Sequence, residues 1–192
     1  MKLQLAACLA ALLCQSPALA ALKEGDPAPA FTAEASLAGK SFTYALKDGL
    51  AKGPVVVYFY PSAFTAGCNI QAHAFAENVE QFAAAGASIV GVSLDSIGRL
   101  NAFSADPQYC AGKLAVASDA DGKIARAYDL KVGAAVQGAK DTRGLEIDHG
   151  FAERTTFVVK RDGTIAATVG GLKPEVNVQK ALEVVKRLGA SR

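Results

Sequence analysis

Two kinds of apolar pattern alternate along the chain. Val55 to Tyr60 is an unbroken run of β-branched and aromatic residues, and Ser88 to Ser93 repeats it around Ile89, Val90 and Val92. Strands buried on both faces look like this. Between them Ile70, Ala74, Phe75, Val79, Phe82 and Ala85 recur at helical spacing up to Gly86, which predicts an amphipathic helix. A strand–helix–strand unit of this kind lays its two strands parallel. Further on, Leu100 to Ser104 reads as a short helix stopped before Pro107, Leu114 to Ala117 as a third strand, and Gly122 to Tyr128 as another helix. Residues 131–152 have no period and read as a long loop. Thr155 to Lys160 and Thr164 to Val169 flank Arg161-Asp162-Gly163, a hairpin signal. After Gly170-Gly171, Pro174 suits a first helical turn, and Val178, Leu182, Val185 and Leu188 form the stripe of a C-terminal helix. Upstream, residues 21–40, with Gly25, Pro27, Pro29 and Gly39, read as an extended arm, and Phe42 to Tyr44 as a short strand. This order predicts an α/β fold, a central mixed sheet flanked by helices.

The beginning of the chain departs from that pattern. Lys2, the apolar run Leu3 to Leu13, the break at Gln15-Ser16-Pro17 and the small residues of Ala18-Leu19-Ala20 read as a secretory signal peptide cleaved after Ala20. Residues 1–20 are then a leader and 21–192 a single domain. The apolar run is too short to span a bilayer. The expectation is an exported protein, in a bacterium a periplasmic one. Cleavage removes Cys8 and Cys14 and leaves Cys68 and Cys110, which in an oxidising compartment can form a structural or a catalytic disulfide. The net charge of +2 gives no electrostatic reason to expect a nucleic acid or a membrane surface as partner.

The stretch VVVYFYPSAFTAGC leads a buried strand straight into Cys68 at the start of the following helix. Unpaired backbone N–H groups and the helix dipole gather there and favour a thiolate over a thiol. Pro61 ends the strand and stiffens the turn, Gly67 permits close approach, and Thr65 offers a hydroxyl to an oxygen of a bound substrate. The same positions also suit a helix cap at Thr65 and a buried, inert thiol at Cys68. Gln71 stands where a Cys-x-x-Cys reductase would carry its second cysteine. Cys68, His73 and His149 do not form a metal-ligand spacing, so neither a metal nor an organic cofactor is expected.

Pro61-Ser62-Ala63-Phe64-Thr65-Ala66-Gly67-Cys68 resembles the proline-x-x-x-threonine-x-x-cysteine signature of the peroxiredoxins. Tyr58-Phe59-Tyr60, Phe64 and Gly91-Val92-Ser93-Leu94-Asp95-Ser96 are similar to the bacterioferritin-comigratory, or Q-type, branch. Arg154-Thr155-Thr156-Phe157-Val158-Val159 with Asp162-Gly163 resembles that family's arginine-bearing strand and hairpin. The likeness runs from about Leu22 to Leu188. It implies a thioredoxin-like fold and a thiol-dependent peroxidase acting on hydrogen peroxide and organic hydroperoxides. By the same resemblance, Cys68 is the nucleophile, Thr65 orients the peroxide, Pro61 shields the pocket and Arg154 stabilises the charges. A monomer recycled by a thioredoxin-like or small-thiol reductant is implied as well. The chain departs from the branch at Asn69 and Gln71, where threonine and glutamate are usual, and at His73, which occupies the place of a resolving cysteine. His73 cannot form a disulfide and reads as a helix-surface side chain. The resemblance leaves Cys110 as the intramolecular candidate for resolution. The alternatives are a one-cysteine peroxidase recycled by an external thiol, or a thioredoxin-fold redox or metal-binding protein without peroxidase activity.

Overall fold

The chain enters the fold through a hairpin that its sequence disguises. Strands β1 (Thr32–Leu37) and β2 (Lys40–Ala45) pair antiparallel, with Leu37 opposite Lys40. Ala38 and Gly39 between them both have positive φ, 50° and 78°. Such a two-residue turn follows the twist of its strands and is usually signalled by Asn-Gly or Asp-Gly. Ala38 carries no such signal, and β1 is built largely of small residues. The expected extended arm over 21–40 is therefore corrected: 32–37 is a strand, joined to the main sheet by Ala35 and Ser36 opposite Ala117 and Val116. A short helix α1 (Leu46–Lys52), not expected from the pattern, follows. The structure, a computed structural model, describes residues 20–190. The expected leader, apart from Ala20, lies outside the described residues together with Cys8 and Cys14.

Strand β3 (Val55–Phe59), helix α2 (Ala66–Ala84) and strand β4 (Ser88–Ser93) form the expected parallel unit, with Val55 opposite Ser88. Helix α3 (Ile97–Ala105), strand β5 (Ala115–Ser118) and helix α4 (Lys123–Ala127) continue it, β5 parallel to β4. The long loop is tied at its base by two short strands, β6 (Val132–Gly133) and β7 (Phe151–Ala152). Strands β8 (Thr155–Val159) and β9 (Ile165–Gly170) make the expected hairpin, and α5 (Pro174–Ala190) closes the fold. Among the described residues the main sheet has seven strands in the order β2-β1-β5-β4-β3-β8-β9. It is a mixed sheet flanked by helices, the thioredoxin-like arrangement. No helix among the described residues is long and apolar enough to cross a membrane.

The period of two along β3 divides the interior. Val56, Tyr58 and Tyr60 pack with residues of α2, α3 and α5, whereas Val55, Val57 and Phe59 face the side carrying Leu46 of α1 and Ala125 of α4. Tyr58 lies flat across β4 at Gly91, where a Cβ would meet its ring at 2.6 Å. Only glycine admits that ring, so the sequence of one strand fixes what its neighbour can be. The consequence for function is that β3 and β4 end side by side. In open α/β sheets, ligand sites gather beyond the carboxyl ends of such strands.

Candidate active site

Beyond β3 the chain turns through Pro61 to Phe64 and enters α2. Thr65 caps the helix with its backbone: φ is −101°, ψ is 149°, and its carbonyl accepts the amides of Cys68 at 3.0 Å and Asn69 at 2.8 Å. Its hydroxyl does not cap. It donates to the carbonyl of Ser62 at 2.8 Å. With that hydrogen committed, Oγ1 presents lone pairs and can accept the O–H of a peroxide. Cys68, the third residue of α2, is 2% exposed, and no side chain caps the first turn beside it.

Arg154 reaches Cys68 from the link between β7 and β8. Its Nη2 donates to Cys68 Sγ at 3.2 Å. Gly67 makes room for this approach, since a Cβ there would stand 3.1 Å from Nη2. Nη1 donates to Gln71 Oε1, whose amide is held in turn: Gln71 Nε2 donates to Asn177 Oδ1 at 3.1 Å. Asn177 also accepts from Thr156 Oγ1 at 2.6 Å and donates to the carbonyl of Val169 at 2.9 Å. Gln71 and Asn177 are buried, and this chain of bonds satisfies them. Gln71 is neutral, so it aims the guanidinium without cancelling its charge, which a glutamate at this position would do. The departure noted at Gln71 thus leaves the whole positive charge of Arg154 to the sulfur.

The loop before Cys68 is held from two sides. Asp95, just past β4, accepts the Ala63 amide at 2.7 Å, and Arg99 Nη2 donates to the Ala63 carbonyl at 2.9 Å. Thr142, in the long loop, donates to the Phe64 carbonyl through its amide at 2.9 Å and its hydroxyl at 2.8 Å. Phe64 has φ of 60°, a strained value for a bulky residue, and its ring is pinned between the Arg143 guanidinium, 3.2 Å from its centroid, and the rings of Phe103 and Tyr109.

Cys110 sits in the turn after α3, but its side chain points inward and is fully buried in the core that also contains Cys68. Both thiols are free. Burial, aided by the charge of Asp106, pushes the Cys110 thiol up and suppresses its thiolate. Tyr58 faces both thiols and Arg154, with its hydroxyl buried and unpartnered among the described residues; burial pushes that phenol well above its ordinary value, so it stays neutral. Pro61 is half-buried at the end of β3. His73 lies on the surface of α2, 52% exposed and 3.3 Å from Glu77, while His149 pairs with Asp95 instead. Cys68, Thr65 and Arg154 are thus brought together, and Cys110 lies in the same core outside that constellation. Sequence reasoning missed the roles of Asp95, Arg99, Thr142 and Asn177. Only Asp95 carried a signal, as a carboxylate directly after a buried parallel strand.

A buried thiol at the start of a helix, in contact with a guanidinium on a thioredoxin-like sheet, is equipped for thiol-dependent redox chemistry. The AhpC/TSA family model matches residues 24–168, and the chain belongs to that family, the peroxiredoxins, on the side of the bacterioferritin-comigratory or Q-type branch. A Mycobacterium tuberculosis protein whose name places it among the peroxiredoxins is 35% identical over 159 residues, covering 83% of this chain and 92% of its own length. Peroxiredoxin Q of the Suaeda salsa chloroplast is 30% identical over 171 residues, 88% of this chain and 71% of that one. The crystal structure of peroxidoxin BcpB from Mycobacterium tuberculosis matches with a TM-score of 0.73 at 27% identity, covering 87% of this chain and 98% of that one. The protein is an enzyme of the thiol-peroxidase class.

Proposed function

We propose that Cys68 is the peroxidatic nucleophile for hydrogen peroxide and organic hydroperoxides, with Thr65 and Arg154 as its partners and Pro61 as the pocket's shield. The observation that carries this reading is the 3.2 Å contact from Arg154 Nη2 to Cys68 Sγ beside a threonine hydroxyl turned into an acceptor. The Cys68 thiolate attacks the nearer peroxide oxygen, the O–O bond breaks, and the departing oxygen takes a proton to leave as water or an alcohol. Cys68 becomes a sulfenic acid, oxidised by two electrons as the peroxide is reduced by two. Arg154 stabilises first the thiolate and then the charge developing on the oxygens, and Thr65 holds the attacked oxygen in line.

The Cys110 thiol then condenses with the sulfenic acid, expelling water and forming a Cys68–Cys110 disulfide within one chain. A thioredoxin-like or small dithiol reductant reopens it by exchange. A disulfide needs Cα atoms within roughly 7 Å and a thiolate on the attacking sulfur, so the buried Cys110 must be released from the core before it can react. Burial of Cys110 favours a second reading, in which an external thiol reduces Cys68 directly. The test is Cys110→Ser. Under the disulfide reading it consumes one equivalent of peroxide normally, then stalls and passes readily to sulfinic acid. Normal turnover of the variant with a supplied dithiol supports the one-cysteine reading instead.

The expected leader supports the further proposal that this chemistry takes place outside the cytoplasm, with the enzyme acting as a monomer. N-terminal sequencing of the protein from its native host is expected to begin at Ala21, and a chain still starting at Met1 overturns export.

A further inference from the structure

Asp95 is a fully buried carboxylate engaged from several segments at once. It is 0% exposed. Its Oδ2 accepts the Ala63 amide at 2.7 Å and the Ser93 hydroxyl at 2.7 Å. Its Oδ1 accepts the Ser62 hydroxyl at 2.9 Å and stands 2.8 Å from His149 Nε2. Arg99 Nε also lies 2.9 Å from Oδ1, and Arg99 Nη2 pairs with Asp141 at 2.8 Å, which in turn binds Arg143. The other ring nitrogen of His149, Nδ1, is 2.7 Å from the Gly150 carbonyl. A carboxylate and a carbonyl can only accept, so satisfying both contacts requires a hydrogen on each nitrogen, that is, an imidazolium.

The two ends of this bond network are the two halves of the active site. Ser62 and Ala63 lead into Thr65 and Cys68. His149 lies shortly before Arg154, across β7. We propose that Asp95 and His149 are positioning residues for the peroxidase reaction: the carboxylate locks the peptide before Thr65 to the segment that delivers Arg154, and the lock depends on the His149 proton. This rests on the assignment of Cys68, Thr65 and Arg154 above. Loss of the proton leaves one nitrogen as a lone pair facing either Asp95 or the Gly150 carbonyl, and one end of the tie is released.

The pH range follows from the groups facing the pair, which are Asp95 and Arg99 on His149, and His149, Arg99, Ser62, Ser93, the Ala63 amide and the buried, neutral Tyr60 on Asp95. Burial would lower the His149 value, but the hydrogen bond and charge of Asp95 and the Gly150 carbonyl outweigh it, against opposition from Arg99, and the net direction is up. Burial would raise Asp95, but His149, Ser93 and Ala63 outweigh it, and the net direction is down. The hold contributed by His149 is therefore complete below about 6.5, the ordinary histidine value, and is lost as pH rises through the elevated one. On the acid side the hold contributed by Asp95 persists until pH falls through its depressed value.

The test is the second-order rate at which hydrogen peroxide oxidises Cys68, read by quenched peptide mass spectrometry from pH 5 to 10, in the wild type, His149→Gln and Asp95→Asn. Dividing variant by wild-type rates removes the titration of Cys68 itself. A glutamine donates from one nitrogen only, so it cannot serve Asp95 and the Gly150 carbonyl from opposite sides as an imidazolium does, and it cannot titrate. His149→Gln is expected to be slower by roughly tenfold to hundredfold near pH 6, the range that a misplacement of about 1 Å produces, with the ratio rising toward one at alkaline pH. Asp95→Asn is expected to be slow at every pH. If it does not fold, as judged by circular dichroism, the partly exposed His149→Gln decides alone. A variant-to-wild-type ratio for His149→Gln that is flat with pH overturns the proposal, whether the ratio is one or lower. If peroxide in the wild type oxidises a residue other than Cys68, the underlying assignment of the nucleophile fails first.

Discussion

Cys68→Ser is expected to lower peroxide turnover to the uncatalysed background while leaving the fold intact. Serine is close in size to cysteine and fits a site that is 2% exposed, so the packing around Ala72 and Phe75 is kept. What is lost is the nucleophile. A hydroxyl ionises far less readily than a thiol, and a neutral hydroxyl does not displace an alkoxide from a peroxide. Arg154, Gln71 and Thr65 remain in place, so residual activity would have to come from another group. Peroxide consumption with a supplied dithiol measures this, with circular dichroism as the control for folding. Turnover above background in a folded Cys68→Ser protein would remove Cys68 from the mechanism.

Arg154→Ala is the second large effect. The guanidinium is the one cation within bonding distance of the sulfur among the described residues, and it is oriented before substrate arrives. Removing such a preorganised donor typically costs about 10²–10³ in rate. The loss should appear in the second-order rate of Cys68 oxidation, since both the thiolate and the transition state lose their partner. Truncation also leaves Gln71 Oε1 buried without a donor, so a modest loss of thermal stability is expected alongside. Arg154→Lys tests geometry separately from charge. A single ammonium cannot reach sulfur and Gln71 with the fixed fork of a guanidinium, so lysine should restore only part of the rate. Full activity in Arg154→Ala would contradict the assignment.

The parts of the fold that the chain announces are those where one physical signal dominates. The runs at Val55 and Ser88 had to be buried strands, and the helix between them forced the parallel pairing. The hairpin of β1 and β2 was hidden because its turn is Ala38-Gly39 rather than Asn-Gly, and because small residues make β1 nearly patternless. Helix α1 was hidden by its length and by Gly49 within it. The site divides in the same way. Pro61, Thr65 and Cys68 fall within one short stretch of chain, so their chemistry could be read from position and resemblance. Arg154 was legible only through the resemblance, because nothing local brings a strand-end arginine to a helix start. The groups that hold these residues were not legible. Asn177 meets Gln71 where α5 comes beside α2, Asp95 meets His149 from 54 residues away in sequence, and Thr142 acts from an aperiodic loop. A lone polar residue in sequence carries no sign of the partner that the fold will supply.

The central claim is that the sulfur under Arg154 is the atom that peroxide oxidises. Mass mapping of the wild type after one equivalent of hydrogen peroxide, with a sulfenic-acid trapping reagent present, tests it most directly. The account predicts the trapped adduct on the peptide containing Cys68, and without the trap a Cys68–Cys110 disulfide or a Cys68 sulfenic acid. Peroxide consumed while Cys68 remains a free thiol would contradict it.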